Sequence, residues 1–133
     1  MVNPPDDRTV NNSFRIGVNQ MLTNDAINPV DSFNLLGNRR RVIVIVYLSL
    51  IETGARIEVR HLARVVRGIE LEKPPRQVSS GDYESAYNGL IQTHLPKLAE
   101  AGVIDYDDSR KTLSPTERID QYALLVQIAR YLD

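Results

Sequence analysis

The sequence predicts a mainly α-helical domain with one small β-hairpin, an α+β fold in which helices dominate. Three observations point to it. Apolar residues recur at helical spacing in three separate stretches beyond residue 58, and a long apolar run precedes them. Two short strand-like segments flank the turn Asp107-Asp108-Ser109-Arg110. The chain has 133 residues, 42% of them hydrophobic and 25% charged, which suits one ordinary globular domain.

Residues 1–30 carry few apolar anchors and are punctuated by Pro4-Pro5, Asn11-Asn12 and Asn28-Pro29. They read as a flexible N-terminal arm with a short ordered piece near Phe14 to Leu22. Ordered structure is expected from Asp31. Asp31 or Ser32 caps a short helical turn through Leu36, Gly37 ends it, and Asn38 caps a new helix. Its β-branched run, Val42 to Leu48, favours a buried strand on propensity. The pattern continues to Ile51, and a length of about 14 residues suits a helix, apolar all round and therefore buried. Thr53-Gly54 is a turn and Ala55 to Val59 a short strand.

Arg60 to Ile69 is an amphipathic helix with Leu62, Val65, Val66 and Ile69 on one face and Gly68 weakening its last turn. Glu70 to Ser80, with Pro74-Pro75, is a loop. Ser79 or Ser80 caps the third helix, whose stripe of Tyr83, Ala86, Tyr87, Leu90, Ile91, Leu95 and Leu98 is interrupted by Pro96. A kink or restart is expected near Thr93 or His94. Gly102 ends the helix. Val103 to Tyr106 and Lys111 to Leu113 form the hairpin. Ser114-Pro115-Thr116-Glu117 starts the last helix, with Pro115 in its first turn. The expected organisation is an arm over 1–30, a domain over 31–114 and an added C-terminal helix over 115–133.

Several function classes find no support in the sequence. Without cysteine, disulfides and thiolate metal sites are excluded. His61 and His94 have no metal-ligand spacing, and no phosphate-binding glycine loop, dinucleotide fingerprint or nucleophile motif occurs. The expectation is a non-enzyme with no cofactor, no metal and no catalytic residues. No apolar run approaches the roughly 20 residues that cross a bilayer, and no secretory signal pattern is visible. The expected location is cytoplasmic, without membrane contact. The net charge is only −1, but residues 38–76 hold nine basic and four acidic side chains inside an otherwise acidic chain.

The element order helix, strand, helix, helix, hairpin is that of a winged helix-turn-helix. Leu95-Pro96-Lys97-Leu98-Ala99-Glu100-Ala101-Gly102-Val103-Ile104-Asp105-Tyr106 resembles the end of a recognition helix running into a wing. Leu35 to Arg41, Lys73-Pro74-Pro75, Tyr87 to Ile91 and Gln92 to Leu98 resemble, in combination, a family of small winged-helix domains abundant in halophilic archaea. That family is known mainly as predicted DNA-binding domains without an assigned target. The near-neutral charge departs from the strong acidity usual in salt-loving cells. It leaves the source open between such cells and a mobile element such as a virus or plasmid.

The resemblance implies a DNA-binding transcriptional regulator whose third helix enters the major groove of double-stranded DNA. Ser85, Asn88, Gln92 and Thr93, with Gly89, lie opposite that helix's apolar face, and short amides suit base edges. An ordinary polar helix face explains them equally well, and Asp82 and Glu84 would repel phosphates. Arg60, Arg64 and Arg67 are spaced as one basic stripe for phosphates, joined by Arg56, Arg76 and Lys97. Pairing with Glu58 and Glu70 is the competing reading. Arg39-Arg40-Arg41 opposes the dipole of its helix, which suggests another use for these arginines. Arg110 and Lys111 lie at the hairpin tip beside Asp107 and Asp108. The stripe Ile119, Tyr122, Val126 and Ala129, with Ala123, is expected to form a homodimer seam, against the alternative of packing only within the chain. A protein-interaction module that has lost DNA binding is the alternative function. Whether a small-molecule effector acts on it is left open by the sequence.

Overall fold

The computed structural model describes residues 34–132. The arm expected over 1–30 and the capping residues Asp31 and Ser32 lie outside the described residues. A helical turn at 34–36 leads through Gly37 into α1 (Arg39–Ser49). The order continues as β1 (Ile57–Glu58), α2 (Val59–Leu71), a 3₁₀ turn (Pro75–Gln77) and α3 (Ser80–Gly89). A π-helical segment (Leu90–His94), α4 (Leu95–Glu100), β2 (Ile104–Asp107), β3 (Thr112–Pro115) and α5 (Ile119–Leu132) complete it. The fold is mostly helical with a small three-stranded antiparallel sheet, ordered β1-β3-β2.

The Asn38 side chain caps α1 as expected, accepting from the Arg40 N–H at 2.9 Å and the Arg41 N–H at 3.3 Å. Val44, Ile45 and Leu48 are fully buried there. Burial overrides the strand propensity of this run: packed on α2, α5 and β3, the helix hides apolar groups on several sides at once.

α2 outlasts its expected end at Ile69. A Cβ at position 68 would sit 2.7 Å from the Lys73 carbonyl, so only glycine admits the chain that closes over the helix end. Glu72 turns left-handed at φ 56°, and the Lys73 N–H donates to the Gly68 carbonyl at 2.8 Å. The loop expected from Glu70 to Ser80 is correspondingly shorter and contains the 3₁₀ turn.

Ser79 caps α3, accepting from the Asp82 N–H at 3.2 Å. The helix continues through Pro96 instead of breaking. Proline has no N–H for the carbonyl four residues back and its ring crowds that carbonyl. The chain widens one turn to the π form, in which the Leu95 N–H reaches the Leu90 carbonyl. The interruption therefore falls where expected, as an expanded turn.

The hairpin pairs Tyr106 with Leu113 and Asp105 with Ser114, and β1 adds Ile57 opposite Leu113. Pro115 pairs with Ile104 in β3, so it does not open the last helix. Thr116 does that work: its hydroxyl accepts from the Arg118 N–H at 3.2 Å and lies 2.6 Å from the Gly102 carbonyl. α5 packs on α1. Ile119 and Tyr122 are buried in the core of their own chain, so the seam expected on them is corrected: they present no surface to a partner. No helix among the described residues is long and apolar enough to cross a membrane.

One core joins Val44, Ile45 and Leu48 of α1 to Leu62 and Val66 of α2, Leu90, Leu95 and Leu98 beyond α3, and Leu113 of β3. Ile45→Ala should therefore lower unfolding stability by about 2–5 kcal/mol, read as a lower urea midpoint with an unchanged denaturant slope.

Candidate nucleic-acid interface

Among the described residues α2 and α3 form the most extensive helix pair, and their packing decides which side chains of each remain outside. Ala86 and Leu90 point into the core, so the helical period turns Ser85 and Asn88 outward. Gln92 and Thr93, on the widened π turn, are exposed as well. None of these four side chains hydrogen-bonds within the described residues. Glu84 shares this outer face. Gly89 does not: a Cβ there would lie 3.0 Å from an Arg40 Nη, so this position faces α1. Pro96 and Lys97 continue the exposed surface onto α4.

The arginines of α2 divide. Arg60 and Arg64 are exposed. Arg60 pairs with Glu58, both on the solvent side, and the Arg64 guanidinium lies 4.6 Å from the Tyr83 ring centroid. Arg67, expected on the same stripe, is turned inward. It donates to Glu70 at 3.2 Å and to Asp82 at 3.2 Å with only 23% of its side chain exposed. It is an internal tie and not a free phosphate ligand, because the helical period carries it toward the joint of α2 with α3. Arg40 closes the same network on Glu70 at 2.8 Å and donates to the Ser85 carbonyl at 3.4 Å. Burial pushes Glu70 up, but hydrogen bonds from Arg40 and Arg67 outweigh it and hold the carboxyl below its ordinary value. Asp82, held down by Ser79 and then Arg67, is an anchor of the start of α3 and not an unpaired charge. Arg56 donates to Thr112 at 3.1 Å, and Arg76 is exposed on the 3₁₀ turn.

At the hairpin tip, Asp107 accepts from the Ser109 hydroxyl at 2.8 Å and the Arg110 N–H at 3.0 Å, which shapes the turn. These bonds hold its carboxyl below its ordinary value. Arg110 is 80% exposed, with its nearest Asp107 oxygen 3.9 Å away, and Lys111 contacts Asp108 at 2.6 Å. A groove of about 320 Å³ runs between this tip, the start of α2 and α3, lined by Glu58, Arg60, Tyr83, Tyr87, Arg110 and Lys111. Its members come from three stretches distant in sequence: the junction of β1 with α2, α3, and the hairpin tip. The tyrosines read only as apolar helix positions, so no sequence signal announces the groove.

Behind the outer face lies a buried polar node. Arg41 donates to the carbonyls of Leu35 at 2.8 Å and Asn34 at 2.9 Å, and its Nη1 lies 3.2 Å from His94 Nδ1. Arginine has no acceptor, so His94 Nδ1 must present its lone pair and the ring must be neutral. Burial, then the nearby Arg41, Arg40 and Lys97 charges, lower the His94 pKa, against a smaller opposite pull from Glu70. His61, by contrast, is exposed on α2, with its Nε2 3.1 Å from the Tyr47 hydroxyl. Among the described residues no cluster of acidic and histidine side chains is arranged to hold a metal ion.

A family model described as a domain of unknown function (DUF7344) matches residues 33–114, from the helical turn before α1 into β3, with α5 beyond it. No curated protein and no solved structure matches the chain.

Because the folded-state pKa of His94 is lowered, the unfolded chain binds more protons below the ordinary value of 6.5. The stability His94 contributes is complete above that pH and is lost as pH falls. Between pH values of about 7.5 and 5.5, where carboxylates stay ionised in both states, the urea midpoint should fall, and His94→Gln should flatten that dependence.

Proposed function

The chain belongs to the DUF7344 family, and we propose that it is a winged helix-turn-helix regulator of transcription that binds double-stranded DNA as a homodimer. α2 and α3 are the helix-turn-helix pair, α3 lies in the major groove, and the β2–β3 hairpin is the wing. The observation that carries this reading is the outer face of α3 and the π turn, where Ser85, Asn88, Gln92 and Thr93 are exposed and, among the described residues, their side-chain donors and acceptors are unspent. Unspent amides on a rigid helix suit base edges, adenine above all. Arg60, Arg64, Arg76, Lys97, Arg110 and Lys111 lie at the surface around it as phosphate contacts.

The dimer seam rests on what α5 leaves uncovered. Val126 is half-buried, Ala129 is exposed and Tyr131 is 91% exposed. In a two-fold dimer the two α3 helices would enter successive major grooves about 34 Å apart. Ala129→Glu, at an exposed position, should then convert dimers to monomers in sedimentation velocity while leaving the circular dichroism spectrum unchanged.

A second reading, a protein-interaction module on the same fold, is favoured by the acids near this surface: Glu84 on the α3 face, and Asp107 and Asp108 against the wing cations. A stable partner captured through nuclease treatment, with no duplex binding at low salt, would establish it.

For the DNA reading, binding of random-sequence duplex should weaken with salt with a log–log slope of about −3 to −6. Asn88→Ala with Gln92→Ala should flatten sequence preference in a binding-site selection without unfolding the chain. An unchanged preference would remove α3 as the reading element.

A further inference from the structure

The groove between α3 and the hairpin has a composition that duplex docking does not require. One wall is aromatic: the Tyr83 and Tyr87 rings lie 5.6 Å apart at a tilt of 44°, with the Arg64 guanidinium stacked over Tyr83. The other walls bring Arg60 from the start of α2 and Arg110 and Lys111 from the hairpin tip. The four amides and hydroxyls of the α3 outer face are not among its lining residues.

The cations here differ from those at the joints between helices. Arg40 and Arg67 are spent on Glu70 and Asp82, with 20% and 23% of their side chains exposed. Arg60 and Glu58 are 72% and 54% exposed, and Arg110 barely reaches Asp107. Exposed pairs of this kind contribute little. An incoming phosphate, with one charge as a diester or about two as a monoester and several acceptor oxygens, can displace those carboxylates at small cost. A bare phosphate would leave the tyrosine rings unused. A planar heterocycle stacks on them, and aromatic platforms bind any base through its π face. A volume of about 320 Å³ is at the small end for ligand sites and matches a ligand of mononucleotide size.

We propose that this groove is a binding site for one unpaired nucleotide, with its base stacked on Tyr87 beside the Arg64–Tyr83 stack and its phosphate held by Arg60, Arg110 and Lys111. A nucleotide inside a duplex keeps both faces of its base covered and cannot enter. The ligand is thus either a free mononucleotide or an unpaired nucleotide of a single strand, and the site stands whether or not α3 reads duplex DNA.

The test is calorimetric titration of the full chain with adenosine monophosphate, adenosine, inorganic phosphate, a short single-stranded oligonucleotide without terminal phosphates, and a blunt duplex. Adenosine monophosphate should saturate one site per chain, with adenosine and phosphate each binding about tenfold or more weakly, the loss expected for one stacking or charge-assisted contact. Tyr87→Leu, which keeps an apolar group against the core, should weaken binding about tenfold. Arg110→Ser should weaken it too, and Glu58→Gln, which removes the one carboxylate among the described residues that line the groove, should tighten it. Competition by the single strand at lower concentration than by the mononucleotide would identify the strand as the source; the reverse would identify the free nucleotide. A duplex shares Arg60, Arg110 and Lys111 with this site, so it is the loss of sequence preference in Asn88→Ala with Gln92→Ala, positions outside the groove, that reports separately on the α3 reading. Saturation by neither ligand, phosphate binding as tightly as the nucleotide, or affinity unchanged in both Arg110→Ser and Glu58→Gln would overturn the proposal. Those two changes are at exposed positions, so they decide the matter even if Tyr87→Leu unfolds.

Discussion

A buried guanidinium whose partners among the described residues are two carbonyls and an imidazole holds the helical frame together. Arg41 is 7% exposed, and a buried charge is tolerated only when its hydrogen bonds are made. Its partners are two carbonyls at the end of the helical turn over 34–36, which lack acceptors' usual partners inside a helix, and the neutral imidazole of His94. One side chain thereby fixes the entry of the chain into α1 and the π turn that follows α3. The demand runs both ways. His94 must keep its proton on Nε2, so the π turn bearing Gln92 and Thr93 is tied to a ring that cannot gain charge without opposing Arg41.

The charges of the molecule sort by depth. Half-buried at the helix joints, Arg40, Glu70, Arg67 and Asp82 form a chain that joins α1 to α2 and α2 to the first turn of α3. Its members position the helix that carries the outer polar face, and they are unavailable to a partner. Toward solvent, Arg60, Arg64, Arg110 and Lys111 surround Tyr83 and Tyr87 with pairs that water screens. The basic surplus over 38–76 is therefore two populations, one structural and one accessible. A count of charge along the sequence overstates the surface that an anion meets.

Element order, the Asn38 and Ser79 caps, the hairpin and the disturbance caused by Pro96 were legible from spacing and turn chemistry, because each rests on residues within a few positions of one another. The outer face of α3 was legible for the same reason: the helical period alone turns Ser85 and Asn88 away from Ala86 and Leu90. Pro115 misled, since a proline serves a helix start and a strand end equally well, and pairing with Ile104 decides between them. The α2 stripe was read one residue too far. Spacing puts Arg67 beside Arg60 and Arg64, while only the position of Asp82 and Glu70 reveals that it turns inward.

By itself the sequence determined the helical class, the one hairpin and the polar face of the third helix, because periodicity and capping are properties of neighbouring residues. The tertiary structure decided which arginines are free, which half of the α5 stripe is buried, and that two tyrosines and three cations from three elements share one groove. Those outcomes depend on side chains far apart in the chain meeting in space, and on the cost of burying charge, which depends on the full set of neighbours and not on the order of residues.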